Sequence, residues 1–493
     1  MTKANGAAAG RETAMADAPP PARIDTDVCV IGGGAAGLSV AAGASQMGAR
    51  VVLVEKGEMG GDCLNFGCVP SKALLAAGHA AEAVRSAGRF GLRAGLTGID
   101  GPGVRRHVTD TIAAIAPVDS QERFEGLGVT VLRAPARFTG PRSLRAGDTD
   151  IHARWVVLAT GSAPAVPPIP GLGDVPYLTN ETLFGLADLP GHLLVLGGGP
   201  IGIEMAQAHA ALGCRVTVLE MGSILANDDP ELADVVRRRL AAAGVTVMEG
   251  ARAAQVAQTS QGIAVTVETP AGALTLEGSH LLVATGRRAA VAGLDLDKAG
   301  IAHTGKGITV DARLRTTNRK VFALGDAAGG PQFTHVAGYH AGVVLKNMLF
   351  RIPAKVDYRA LPWVTYTDPE LAQVGLTEAR ARTAGHKVNI LRWSFHDNDR
   401  AQAEGRTEGH LKAVITPKGR VLGCGIVGPR AGDLIGLWAL AISKGLGIGD
   451  IAQVVLPYPT FGEISKRAAG SYYTPRLFSD RTRAVVRFLM RFA

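Results

Sequence analysis

Short aliphatic runs that stop at glycine recur along this chain and set its organisation. Asp27-Val-Cys-Val-Ile31 leads into Gly32-Gly-Gly34-Ala-Ala-Gly37, a small-residue stretch to Gly48, and then Arg50-Val-Val-Leu-Val-Glu55. This pattern predicts strand, tight turn, helix and strand, with an acid at the end of the second strand. The order returns at His192-Leu-Leu-Val-Leu196, Gly197-Gly-Gly199-Pro-Ile-Gly202 and Cys214-Arg-Val-Thr-Val-Leu-Glu220. Two twin strand-to-turn segments end at Thr160-Gly161 and Thr285-Gly286, and another strand runs toward Gly325-Asp326. A proline-rich stretch, Pro164 to Pro170, connects the first unit to the second.

Each glycine has a physical task. Gly32 permits the tight turn, Gly34 lets the backbone approach a pyrophosphate, and Gly37 lets the helix pack on the strand. The helix N-terminus offers free N–H groups to phosphate oxygens. Gly197, Gly199 and Gly202 repeat the set. One such fingerprint is weak evidence, but two with an acid at matching offsets predict two dinucleotide sites. Glu55 and Glu220 are placed to accept hydrogen bonds from a ribose diol. A carboxylate at Glu220, with no arginine in Met221–Asn227, favours NAD(H) over NADP(H). Asp326, an acid at the end of its strand, can hold a ribityl hydroxyl or stand as a plain turn residue.

Between these units lies Gly60-Gly-Asp-Cys63-Leu-Asn-Phe-Gly-Cys68-Val-Pro-Ser-Lys72. A cross-link between Cys63 and Cys68 closes so small a loop that it suits chemistry better than stapling. Pro70 followed by Ala73-Leu-Leu-Ala-Ala77 predicts a helix with proline in its first turn. The helix dipole and Lys72 both favour a thiolate there. A zinc half-site is the competing reading, but zinc asks for about four ligands and there is no second cysteine pair. No resident metal is therefore expected. Cys29, Cys214 and Cys424 stand alone in apolar runs and read as core.

Composition narrows the class further. The chain has 493 residues, 47% hydrophobic content and 64 glycines, which suits a glycine-rich α/β protein of about three domains. Five cysteines in so long a chain form no disulfide framework, which points to a reducing, cytoplasmic setting. Residues 1–24 are rich in Ala, Gly and Pro without an apolar segment, and read as a disordered extension. No apolar run is long enough to span a bilayer. The net charge of +9 comes largely from scattered arginines, with no interleaved aromatics and no nucleic-acid motif. Within 479–493, Arg483, Arg487 and Arg491 share one helical face, and Val485, Val486, Phe488, Leu489, Met490 and Phe492 fill much of the rest. A helix packed on the body of the dimer is the preferred reading of this basic amphipathic segment, with contact at a membrane surface as the alternative.

Taken together, these motifs resemble the class I pyridine nucleotide–disulfide oxidoreductases, the group that includes lipoamide dehydrogenase, glutathione reductase and mercuric reductase. The likeness runs from about Asp25 to about Tyr473. It implies an α/β fold with two Rossmann-like nucleotide-binding domains, the NAD(H) domain inserted in the FAD domain, and a C-terminal α+β dimerisation domain. The implied division is FAD domain at 25–165 and 285–352, NAD(H) domain at 166–284 and dimerisation domain at 353–478. FAD contacts are implied for the first glycine unit, Glu55-Lys56, Gly61-Asp62, Thr160-Gly161, Gly325-Asp326 and Thr334-His335. NAD contacts are implied for the second unit, Glu204, Glu220 and Thr285-Gly286. By the same resemblance Cys68 is the flavin-facing thiol, Cys63 meets the substrate, and Lys72 and Glu204 form an ion pair near the flavin and nicotinamide. Electrons would pass from NADH through FAD to the cysteine pair of a homodimer, and on to a small disulfide, thiol or metal acceptor.

The chain departs from the disulfide-reducing members at Tyr458-Pro-Thr-Phe-Gly-Glu463. Tyrosine stands where they carry a histidine, while Glu463 remains. A phenol with an ordinary pKa of ~10 is a poor base near neutrality. Mercuric reductases also carry a tyrosine in this region, but they add a C-terminal cysteine pair, and no cysteine follows Cys424 here. Mercuric-reductase-like chemistry, or diaphorase and quinone reduction directly from flavin, are the alternative readings. The resemblance implies that the Tyr458–Glu463 segment of one subunit completes the partner subunit's site, with Tyr458 either catalytic or a packing aromatic at the interface. A non-catalytic redox-sensing or scaffold dimer is disfavoured by the intact Cys63, Cys68, Lys72 and Glu204.

Overall fold

The computed structural model describes residues 22–492. Most of the 1–24 segment lies outside it. Ala22–Ile24, however, belong to strand Ala22–Ile31 and pair in register with Thr149–Ile151, so the expected disordered extension does not reach residue 24; the rest of that expectation lies outside the described residues. The long partner strand Thr149–Leu158 supplies the edge that makes this pairing available.

Four strands run parallel in the order Val129–Arg133, Val51–Glu55, Ala22–Ile31 and Thr149–Leu158. Strand Val321–Ala323 returns more than a hundred residues later and pairs parallel with Val156–Leu158. It thereby brings Gly325-Asp326 back to the C-terminal ends of the first strands. Helices Ala35–Gln46 and Thr334–Met348 pack on one face of this sheet and share its core with Val28, Val30, Leu53 and Val157.

The inserted unit repeats the plan in a four-stranded parallel sheet: Thr246–Glu249, Arg215–Glu220, His192–Leu196 and His280–Val283. An antiparallel sheet, Arg252–Thr259, Gly262–Thr269 and Gly272–Gly278, accompanies it. The chain crosses between the two nucleotide units as a narrow ribbon, in which Ser162–Pro164 pairs antiparallel with Arg287–Ala289. The segment after Leu361 builds a five-stranded antiparallel sheet covered by helices Ala431–Lys444 and Glu463–Ser471 around buried Phe395, Trp438 and Phe461.

One packing contact matters most for the site. Helix Cys68–Ser86 lies against helix Pro200–Ala211, and Leu74, Leu75, Ile203 and Ala206 belong to one buried cluster. Gly78 allows the approach, since a Cβ there would stand 3.2 Å from Ala211 Cβ. The helix that begins at Cys68 is thereby fixed to the helix carrying Glu204. Among the described residues, no helix is long and apolar enough to cross a membrane.

Candidate active site

The two glycine turns are alike in their chemistry. Gly32 takes φ +108°, and a Cβ on it would stand 2.3 Å from Ala159 O; Gly197 takes φ +110°, with Ala284 O at 2.5 Å. Gly37 and Gly202 each press on the carbonyl of their own turn, at 1.8 and 2.0 Å from a notional Cβ. The acids are twins as well. Glu55 accepts from the amides of Gly33 and Gly57, and Glu220 accepts from those of Gly198 and Gly222. Each carboxylate therefore braces its own turn at the mouth where a ribose would lie.

Both mouths fit a dinucleotide. Helices Ala35–Gln46 and Pro200–Ala211 begin without a side-chain cap, so their first N–H groups point outward and attract phosphate. A Cβ on Gly199, Gly161 or Gly286 would meet no protein atom within 4 Å, and one on Gly34 would meet only Gly61 Cα, at 3.7 Å. In the first mouth Thr160 Oγ1 is buried without a hydrogen-bond partner in the chain, and a bound polar ring edge would satisfy it.

Asp326 sits on the turn after strand Val321–Ala323 and accepts from Ser162 Oγ at 2.6 Å. Burial raises its carboxyl above the usual range, against that hydrogen bond and the Arg287 charge. Arg287, which the sequence reading passed over, is largely buried. Its guanidinium lies 3.1 Å from Asp62 Oδ1 and donates to Ser162 Oγ at 2.7 Å. Asn180 adds a bond to the same Asp62 oxygen at 2.9 Å. Asp62 is thus clamped from two directions, which fixes the short helix Gly61–Asn65 that carries Cys63. His340 was also passed over. It accepts from the Gly325 amide at 3.1 Å and lies 2.7 Å from Tyr358 Oη; burial pushes it down to about 4, so it stays neutral.

Cys63 and Cys68 are free thiols facing each other across the turn between helices Gly61–Asn65 and Cys68–Ser86. They ionise very differently. Cys68 is lowered to about 6, first by the hydrogen bond from Cys63, then by Thr334 and the Lys72 charge, with burial opposing. Cys63 is raised, first because it donates that bond and then by burial. Thr334 Oγ1, at the start of helix Thr334–Met348, lies 3.3 Å from Cys68 Sγ. A low-pKa thiolate at the head of a helix is the reactive form of cysteine.

Lys72 and Glu204 meet at 2.8 Å, and the Glu204 side chain is buried. The Tyr366 amide donates to the second Glu204 oxygen at 2.9 Å, and Lys72 Nζ lies 4.3 Å from the Tyr366 ring centre. The pair links the cysteine helix, the second nucleotide unit and the C-terminal sheet.

The remaining predicted residues are placed less tightly. Lys56 is exposed. His335 Nε2 lies 2.9 Å from Pro362 O and its ring stacks on Phe333, so the imidazole turns toward the C-terminal segment. Thr285 donates to Ala165 O at 2.7 Å, across the inter-unit ribbon. Tyr458 is exposed and donates to Asp399 Oδ2 at 2.8 Å, which raises the phenol further above its ordinary value. Among the described residues no hydrogen bond joins Tyr458 or Glu463 to the cysteine segment of the same chain.

Known proteins share this architecture. The pyridine nucleotide-disulphide oxidoreductase family matches residues 26–341, and the dimerisation domain of that family matches 361–469. The chain belongs to this family. It is 36% identical over 456 residues to a mercuric reductase of Streptomyces lividans, covering 90% of this chain and 96% of that protein. It is 35% identical over 454 residues to a dihydrolipoyl dehydrogenase of Geobacillus stearothermophilus, with the same coverage of 90% and 96%. The Cu(II) complex of RclA, the HOCl-induced flavoprotein disulfide reductase of Escherichia coli, has a similar structure, with TM-score 0.81 and 28% identity over 90% of this chain and 99% of that one. LpdA of Mycobacterium tuberculosis gives a TM-score of 0.83 at 27% identity, again over 90% and 99%. The dimerisation domain supports a homodimer.

Proposed function

We propose that this chain is an NADH-dependent flavoprotein disulfide oxidoreductase whose Cys63–Cys68 pair hands electrons to a small disulfide or soft-metal acceptor. The observation that carries the reading is Cys68, held as a thiolate near neutrality by Cys63, Thr334 and Lys72. FAD, when bound at the first mouth, supplies hydride acceptance and electron relay between nicotinamide and thiol.

The chain's own residues do the rest. Glu204 pairs with Lys72 and holds the ammonium in place near Cys68. Thr334 steadies the negative sulfur. Cys63 shares its proton with Cys68, so a shift of that proton frees Cys63 as the outer nucleophile without a histidine. The Cys63 thiolate attacks one sulfur of a disulfide acceptor, forming a mixed disulfide and releasing a thiolate, which takes the proton from Cys68. Cys68 then attacks the Cys63 sulfur, closing the Cys63–Cys68 bond and expelling the second thiolate. Two electrons leave the pair, and one acceptor disulfide becomes one thiol and one thiolate, which takes its proton from solvent. Tyr458, with its raised phenol, serves as a hydrogen-bond donor and not as a base. Glu220, fixed by two backbone amides, favours a free ribose 2′-hydroxyl and so NADH.

A panel of acceptors tests this reading. Steady-state oxidation of NADH, in preference to NADPH, should require Cys63 with disulfide acceptors and with Hg(II) in excess thiol. Cys63→Ser should lose both activities by at least about a hundredfold. Quinone reduction that survives Cys63→Ser, with no disulfide or metal activity in the parent, would replace the proposal with direct reduction from flavin. The mercuric reading is favoured over disulfides only if Hg(II) alone supports turnover.

A further inference from the structure

Helix Asp480–Leu489 lies beyond the matched dimerisation domain, which ends at 469, and it buries none of its residues within the chain. Ser479 caps it, accepting from the Thr482 amide. Its apolar side chains stand in solvent: Phe488 is 56% exposed, Leu489 59%, Met490 72% and Phe492 76%. Phe488 and Phe492 pack edge to face, 5.2 Å apart, as one aromatic wedge. Arg483, Arg487 and Arg491 follow one another down the opposite face. Among the described residues Arg481, Arg487 and Arg491 form no ion pair, and Arg483 meets only the exposed Asp480, at 3.5 Å. Within the subunit this helix does not pack on the body of the chain.

A helix of this length has little stability of its own in water and relies on burial of its apolar face. Two occupants differ in charge. A second copy of the chain carries net charge +9 and meets four arginines with like charge. An anionic lipid surface meets them with opposite charge and takes up the apolar face at the same depth. We propose that Asp480–Leu489, continued by Met490–Phe492, docks the protein in the plane of an anionic lipid surface. One such helix binds marginally, but a dimer presents two, and the second engages at high effective concentration. This holds independently of the electron acceptor.

Sedimentation of the full flavin-loaded protein with vesicles tests it. The vesicles are phosphatidylcholine alone, or phosphatidylcholine with phosphatidylglycerol in a roughly three-to-one mixture. The protein should pellet with the anionic vesicles, stay in solution with the neutral ones, and be released at about 0.5 M salt. Arg483→Gln with Arg487→Gln should lower partitioning at least about tenfold. Deletion of 480–493 should abolish it while leaving dimer mass and NADH oxidation unchanged. Absence of pelleting, pelleting that survives the deletion, or a deletion that dissociates the dimer would each overturn the proposal, the last by assigning the helix to a partner copy.

Discussion

Cys68 is the residue on which the chemistry turns, and its ionisation has a definite sign. A thiol whose pKa is lowered loses its proton earlier as pH rises. The thiolate should therefore be present above about pH 6 and vanish below it. In Cys63→Ser the serine hydroxyl can still donate to Cys68, and Cys29, Cys214 and Cys424 are buried. Alkylation of that variant by iodoacetamide should then report Cys68 alone, with a midpoint well below the ordinary ~8.5. Thr334→Val removes one donor and should raise the midpoint by about one unit. A midpoint at the ordinary value in both proteins would remove the basis for the mechanism. The cysteines, Lys72 and the acids were legible in the sequence because each belongs to a local pattern. Arg287, Asn180 and Asp399 were not, because each acts on a residue far away along the chain, and His340 was not, because no motif marks its bond to the Gly325 amide. The only local hint was Arg287 following Thr285-Gly286, inside a twin of the segment at Thr160-Gly161.

At the scale of elements, the twin turns separate packing from binding. Gly202→Ala places a methyl 2.0 Å from Gly197 O, so the helix must move off its strand. Overpacking of this kind costs about 1–3 kcal/mol and should appear as a lower Tm. Gly199→Ala meets nothing within 4 Å and its φ of −74° suits alanine. Its Tm should stay unchanged while KM for NADH rises about tenfold or more, because the methyl stands where the pyrophosphate would pass. Equal loss of stability in the two variants would contradict the assignment. The parallel strands were readable because fully buried strands are continuous aliphatic runs. The start of the helix at Cys68 was readable from Pro70. The antiparallel hairpins at 252–278 were not singled out, since their half-exposed faces carry no motif. The ribbon joining Ser162–Pro164 to Arg287–Ala289 was invisible for another reason: its strands come from either side of an inserted unit.

Across the whole molecule, the inserted unit, the returning strand Val321–Ala323 and the C-terminal sheet all converge on the cysteine helix. Glu204 comes from the second unit, Tyr366 from just after strand Pro362–Thr365 of the C-terminal sheet, and Thr334 from the returning segment. The family motifs made this plan legible, whereas the tail helix had no counterpart among them and its exposure could be learned only from the fold. The central claim is that electrons from NADH open a Cys63–Cys68 disulfide. Anaerobic titration with NADH, followed by a thiol count in denaturant, tests it most directly. The oxidised protein should show three thiols, from Cys29, Cys214 and Cys424, and the NADH-reduced protein all five. Consumption of NADH with the count unchanged at either value would contradict the account and leave the cysteine pair outside the electron path.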